Sequence, residues 1–233
     1  EIRTEIMKFV DSIVSRIVIR DYLMFVLAYN LSGNKYLEQA WFFTGLGRNG
    51  KGTLKDLYGL TLRQGAYYHE GDIAVITNIK KDANGASSAI MALKGKRVAV
   101  FSESEDKDET IKVKILKQIV GRDMIQGRDM YAKNQCEFKP TFSLIFLFND
   151  MPKLSKLETN LCDKMNVINF PYRFCDNPKA ENEKLIDKTL KNRFEDDVRY
   201  RQQFMLLLLE YYDKFGIKAV SYTHLTLPTI LRV

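Results

Sequence analysis

The sequence predicts a three-layer α/β fold: helices on both faces of a central, mainly parallel sheet, with a helical lead-in ahead of it. Three observations carry this. The runs R-V-A-V-F-S (Arg97 to Ser102) and F-S-L-I-F-L-F (Phe142 to Phe148) are short and almost wholly apolar, which suits strands buried on both faces of a parallel sheet. The segment W-F-F-T-G-L-G-R-N-G-K-G-T (Trp41 to Thr53) runs from an apolar strand into a glycine-rich loop. Helix-compatible patterns then follow that loop, separate the strands and occupy both ends of the chain.

In order along the chain, Ile6, Val10, Ile13 and Ile17, then Leu23, Val26 and Leu27, recur near helical spacing. This predicts two helices between Ile2 and Leu31, with Asp21 as the break. The strand at Trp41, the glycine-rich loop and a helix from Thr53 to Arg63 come next. Gly65 to Gly85, rich in Gly, Asp and Asn, reads as irregular. Arg97 to Ser102 is a strand ending at Glu103. Asp108 to Val120 reads as a helix with one basic face, stopped by Gly121. Asp123 to Phe138 reads as an extended excursion or hairpin, and Phe142 to Phe148 is a strand ending at Asn149. Asp187 to Phe215 looks helical, its F-M-L-L-L-L-E-Y-Y run providing either a core face or an intersubunit contact. The organisation expected is a helical lead-in over residues 1–35, a nucleotide-binding core over 36–175 and a C-terminal helical segment over 176–219. Val220 to Thr229, V-S-Y-T-H-L-T-L-P-T, translates bases that resemble a common sequencing-library transposon adapter, so residues 220–233 are set aside as a non-native tail.

Composition narrows the function classes. With 233 residues and 45% hydrophobic content the chain can bury one substantial core. Its longest apolar runs, Phe204 to Leu209 and Leu144 to Phe148, fall far short of a membrane span, which predicts a protein without a membrane partner. Cys136, Cys162 and Cys175 are odd in number and lack Cys-x-x-Cys spacing, which argues against a disulfide framework or zinc site and for a reducing compartment such as the cytoplasm. His69 and His224 alone leave little material for histidine chemistry. The net charge of +7 and the cluster Lys112, Lys114, Lys117, Arg122, Arg128 and Lys133 suit an anionic partner such as a nucleic-acid backbone.

The glycine-rich loop is a phosphate cradle. Gly45, Gly47 and Gly50 let the backbone curl so that successive N–H groups, through Arg48, Asn49 and Gly52, point at anionic oxygens. Lys51 supplies a point charge for the outer phosphates of a nucleoside triphosphate. The Walker A pattern places Ser or Thr directly after the lysine; here Gly52 intervenes and Thr53 carries the hydroxyl. An acid at the end of a buried strand supplies the second half of such a site, since a carboxylate there can hold magnesium or polarise water. Glu103 is the first candidate and Glu105 the next. Asn149 occupies the analogous place on the following strand, where a neutral amide can orient the lytic water; it also precedes the turn formers Asp150 and Pro152.

Four motifs in this order, G-L-G-R-N-G-K-G-T, K-G-K-R-V-A-V-F-S-E-S-E, L-K-Q-I-V-G-R-D-M-I-Q-G-R-D-M-Y and F-K-P-T-F-S-L-I-F-L-F-N-D-M-P, cover about Phe42 to Leu154. Together they resemble the superfamily 3 helicase domain of poxvirus-type and phage or plasmid primase-helicases. The resemblance implies a P-loop domain of the AAA+ type that assembles into a ring, usually a hexamer, and hydrolyses ATP with Mg2+ to translocate on single-stranded DNA. A primase region would belong to the same full-length chain. Lys51 and Thr53 would carry the phosphate-loop roles, with Glu103 holding metal and activating water and Asn149 serving as sensor 1. Tyr131, Lys133 and Asn134, on a hairpin entering the ring channel, would be the DNA contacts. Members of the family commonly carry an Arg-Arg pair where this chain has Asp163 and Lys164. Lysine lacks the planar fork of arginine, so either Lys164 substitutes for it, or Arg173 or Arg128 reaches across, or turnover is slow. Two other functions fit parts of the sequence. Gly-Lys-Gly-Thr also suits a small-molecule phosphotransferase resembling nucleotide kinases, and the missing Arg-Arg pair suits an ATP-binding nucleic-acid scaffold with little turnover.

Overall fold

The structure, a computed structural model, describes residues 1–34, 37–73, 87–103, 110–127, 136–155 and 162–215. The chain opens with two helices, α1 (Ile2–Ile13) and α2 (Ile17–Tyr29). The predicted break at Asp21 is corrected: it falls where Val14 and Arg16 adopt extended backbone, and Asp21 lies inside α2. There its carboxylate accepts from Arg20, Tyr211 and Lys214, so it serves a contact between helices instead of ending one.

The remaining elements follow in order: β1 (Ala40–Thr44), α3 (Lys51–Thr61), β2 (Tyr68–Asp72), α4 (Ser87–Met91), β3 (Val98–Ser102), β4 (Thr110–Ile111), α5 (Val113–Val120), β5 (Ile125–Gly127), β6 (Cys136–Phe138), β7 (Ser143–Leu147), β8 (Lys153–Leu154), β9 (Met165–Asn169), β10 (Arg173–Cys175), β11 (Glu183–Leu185), α6 (Leu190–Asp196) and α7 (Val198–Lys214). Five strands form one sheet in the order β2-β3-β7-β1-β9, every pair parallel. Among the described residues, no helix is long and apolar enough to cross a membrane. All three cysteines are free thiols.

The three layers follow from the two-residue period of a strand. On β1, Trp41 and Phe43 point into a cluster with α1, α2, α3 and α7, while Ala40 and Phe42 point into a second cluster with α5, Ile125 and Phe138. Trp41 is fully buried, and its indole N–H donates to the Tyr22 hydroxyl at 3.1 Å. On the other face, Phe42 stacks on Phe146 at 4.8 Å between centroids, and Phe101 follows at 5.7 Å. The lead-in helices and α7 therefore complete the same face of the sheet.

Three other boundaries differ from the sequence-based expectation. Gly65 to Gly85 is not wholly irregular: Tyr68–Asp72 is an edge strand, specified by its ladder to Val98–Ser102 and invisible as an apolar run. The helix expected from Asp108 starts only at Val113, because Thr110 and Ile111 pair in parallel with Lys153 and Leu154. The helical region after Asp187 is two helices; Asp197 accepts from the Arg199 N–H at 3.0 Å and caps the second. Residues 123–138 do form a hairpin at its base, with Ile125 opposite Phe138, but its tip lies outside the described residues.

Candidate nucleotide site

Strand β1 lies between β7 and β9, and the connection that leaves it leads over the sheet to its far edge at β2. In open α/β sheets the crevice beyond the carboxyl ends of the strands at such a switch point is where ligands bind. The loop from Gly45 to Gly50 occupies this place. Gly45 has φ 138°, and a Cβ there would run into the Phe170 carbonyl. Gly50 has φ 84° and caps α3 where a Cβ would strike Ile13. Arg48 is also left-handed, at φ 60°, and its carbonyl accepts from the Phe174 N–H at 2.7 Å, which ties the loop to β10.

Lys51 is the first residue of α3 and is only 7% exposed. Its ammonium donates to the Gly45 carbonyl at 2.7 Å and to the Phe148 carbonyl. Burial pulls its pKa down to about 8, opposed by the charges of Glu103 and Asp150. The Glu103 N–H continues the β3–β7 ladder by donating to the Leu147 carbonyl at 3.0 Å. Its carboxylate accepts from the Asn149 N–H at 3.0 Å, and the Asn149 carbonyl accepts from the Gly45 N–H at 3.1 Å. Lys51 at the start of α3, Glu103 just past β3 and Asn149 just past β7 thus meet at one corner. Asp150 also acts on Lys51 there. Sequence reasoning took Asp150 as a turn former, and only its position beside Asn149 hinted otherwise.

The donor set fits phosphate. A buried ammonium held by two main-chain carbonyls offers positive charge that phosphate oxygens would satisfy better. Asn49 accepts from the Lys51 N–H at 3.3 Å, while its Nδ2 is buried without a hydrogen-bond partner among the described residues, 2.7 Å from where a Cβ on Gly45 would stand. The exposed Glu103 carboxylate beside this corner fits a divalent cation. Thr53 lines a cleft of about 730 Å³ on the outer side of the loop, with Phe9, Arg48, Gly50, Phe174 and Leu190 among its walls; neither Glu103 nor Asn149 belongs to that lining.

The structure does not bring Lys164 into this corner. It precedes β9 at the amino ends of the strands, where its ammonium meets Glu38 at 2.7 Å, and Arg122 approaches the same carboxylate at 3.6 Å. The length of β9 puts it roughly 15 Å from the phosphate loop, at about 3.3 Å per residue. Arg173 forms a loose pair with Glu183 at 3.8 Å, next to the loop through Phe174. Glu105, Arg128, Tyr131, Lys133 and Asn134, together with the tail from 220 onward, lie outside the described residues.

A glycine-rich loop at the carboxyl edge of a parallel sheet with helices on both faces defines a three-layer P-loop α/β protein. More narrowly, the chain belongs to a family of unknown function, DUF5906, which matches residues 43–160. It is 31% identical over 203 residues to a protein of Acanthamoeba polyphaga mimivirus named "Putative helicase", an alignment covering 84% of this chain and 21% of that protein. A protein of Frog virus 3 with the same designation is 29% identical over 135 residues, covering 57% of this chain and 14% of the relative. A third relative, named "Putative primase", is from African swine fever virus and is 23% identical over 206 residues, covering 88% and 21%. The chain thus spans between 14% and 21% of the length of these curated relatives. Among solved structures, the C-terminal region of NrS-1 in its apo form superposes with a TM-score of 0.59 at 14% identity, over 89% of this chain and 44% of that one, a likeness of fold. The viral relatives agree with the superfamily 3 resemblance read from the motifs.

Proposed function

We propose that this chain is the ATP-hydrolysing helicase module of a viral, phage or plasmid replication protein, working as a ring, usually of six subunits, on single-stranded DNA. Residues 36–175 form its ATPase core, flanked by the lead-in and the C-terminal helical segment. What supports the reading is the meeting of Lys51, Glu103 and Asn149 at the carboxyl ends of adjacent strands, beside a loop whose glycines leave room for an anion. In this reading the loop amides from Gly45 to Gly52 and the Lys51 ammonium bind the triphosphate. Thr53 and Glu103 hold Mg2+, which when bound neutralises phosphate charge. Glu103, assisted by Glu105, accepts a proton from the attacking water, and Asn149 orients that water. Tyr131, Lys133 and Asn134 contact DNA. Lys164, too distant from the loop of its own subunit, acts toward a neighbouring copy.

The test is ATP turnover by the chain with and without single-stranded DNA, alongside Lys51→Ala and Glu103→Gln. DNA-stimulated turnover, lost in both variants, with no phosphate passed to nucleotides, is the expected result. Undiminished turnover in Lys51→Ala, or a phosphorylated nucleoside product, would overturn the proposal. One observation favours a second reading, an ATP-binding scaffold with little turnover: Asp163 and Lys164 replace the arginine pair, and Lys164 is engaged with Glu38. Retained ATP and DNA binding in an inactive wild-type protein would select it.

A further inference from the structure

The chain segments that leave the sheet after Glu103 and Asn149 come together again. Strand β4, downstream of Glu103, pairs in parallel with β8, downstream of Asn149, with Thr110 opposite Lys153 and Ile111 opposite Leu154. Ser155 closes the junction: its N–H donates to the Ile111 carbonyl at 3.0 Å, and its hydroxyl accepts from the Val113 N–H at 3.2 Å. Val113 is the first residue of α5, and the helix's own cap residue, Lys112, makes no side-chain cap. The first N–H groups of a helix need partners from elsewhere. Here the partner comes from a segment that begins at the nucleotide corner.

That segment is short. Only five residues separate Ser155 from Asn149, and Pro152 among them has a fixed φ. Asn149 is itself held at both ends of its peptide, by Glu103 and by Gly45 of the phosphate loop. Beyond the junction, α5 buries Val113, Leu116, Ile119 and Val120 under the sheet and leaves Lys114 exposed, and Arg122 just past its end is exposed as well. The helix leads directly into the β5–β6 hairpin. A small movement of Asn149 therefore has a short covalent route, closed by the two hydrogen bonds of Ser155, to the first turn of a helix that exposes Lys114.

We propose that Ser155 is a positioning residue whose hydroxyl couples occupancy of the nucleotide site to the grip of α5 on nucleic acid. The inference rests on the ATP and DNA reading above and adds to it the contact that transmits between the two ligands. It requires no turnover, only binding.

The experiment measures the Kd of a fluorescent oligothymidine for the full chain, with and without a non-hydrolysable ATP analogue and Mg2+. The ratio of the two is the coupling factor, which must also appear in the analogue's affinity with and without DNA. Ser155→Ala should bring that factor about fivefold closer to one, the scale of one lost hydrogen bond. Ser155→Thr should restore it, and the analogue's affinity without DNA should stay within about twofold in both variants, as expected for a residue outside the phosphate corner. Unchanged coupling in Ser155→Ala overturns the inference, as does a variant that weakens both ligands alike with the ratio intact. A wild-type chain that binds both ligands without coupling also overturns it and leaves the ATPase reading standing. Failure of the wild type to bind the analogue at all overturns both.

Discussion

Substituting Gly45 by alanine isolates the backbone requirement of the phosphate loop. At φ 138° an L-residue is strained by about 1–3 kcal/mol. The new Cβ would also press on the Phe170 carbonyl oxygen and come within 2.7 Å of Asn49 Nδ2. Phe170 cannot easily withdraw, because its N–H is bonded to the Thr44 carbonyl of β1 at 2.8 Å. Strain and clash together predict a loss of about 3 kcal/mol, or roughly 6–12 °C in Tm for a chain of this size. Gly47→Ala is the matched control: among the described residues nothing beyond its chain neighbours lies within 4 Å of its Cβ position, and its φ is not left-handed, so its effect should stay within about 0.5 kcal/mol. Thermal unfolding of both variants, with a fluorescent-nucleotide titration beside it, provides the assay. Affinity should fall with Gly45→Ala and hold with Gly47→Ala. Equal Tm values for the two variants would refute the assignment of Gly45 as the loop's constrained glycine.

Tyr22→Phe leaves the buried Trp41 indole N–H without the hydroxyl it donates to, and should cost about 1–3 kcal/mol in urea unfolding; a change below about 0.5 kcal/mol would show that this bond adds nothing. The Arg193 hydrogen bond holds the Asp187 carboxylate down to about 2, from an ordinary 3.8, against the opposing effect of burial. A depressed carboxylate stabilises the fold above its unfolded pKa, and that contribution is lost as pH falls toward the folded value. Both partners are substantially exposed, so screening limits the gain to about 1 kcal/mol. Asp187→Asn should therefore be less stable than wild type at pH 7, by about that amount, with the gap shrinking below about pH 4. A gap independent of pH would exclude the ion pair as its source.

Much of the fold was legible because burial on both faces leaves a plain trace. Val98–Ser102 and Ser143–Leu147 announce themselves as apolar runs, and the loop ahead of α3 does so through glycine and lysine spacing. Tyr68–Asp72 left no such trace, since an edge strand is specified by its ladder to β3 and can carry His, Glu and Asp. The helix break was misplaced because Asp21 looks like a stop from its neighbours alone, whereas contacts with Tyr211 and Lys214, some 190 residues away, make it part of a helix. Thr110 and Ile111 have helical periodicity with the residues after them, yet pairing with Lys153 and Leu154 draws them into a strand.

The amino-acid sequence by itself determined the local chemistry: a backbone able to curl around an anion, a lysine inside it, an acid and an amide at the ends of buried strands. Those features depend on residue type and on spacing over a few positions, which is where strand and helix periodicity act. Only the tertiary structure decided that Lys51, Glu103 and Asn149 share one corner, that Lys164 sits at the opposite edge against Glu38, and that Ser155 caps α5. Each of these joins segments distant along the chain, and their meeting depends on strand order in the sheet, which no local pattern encodes.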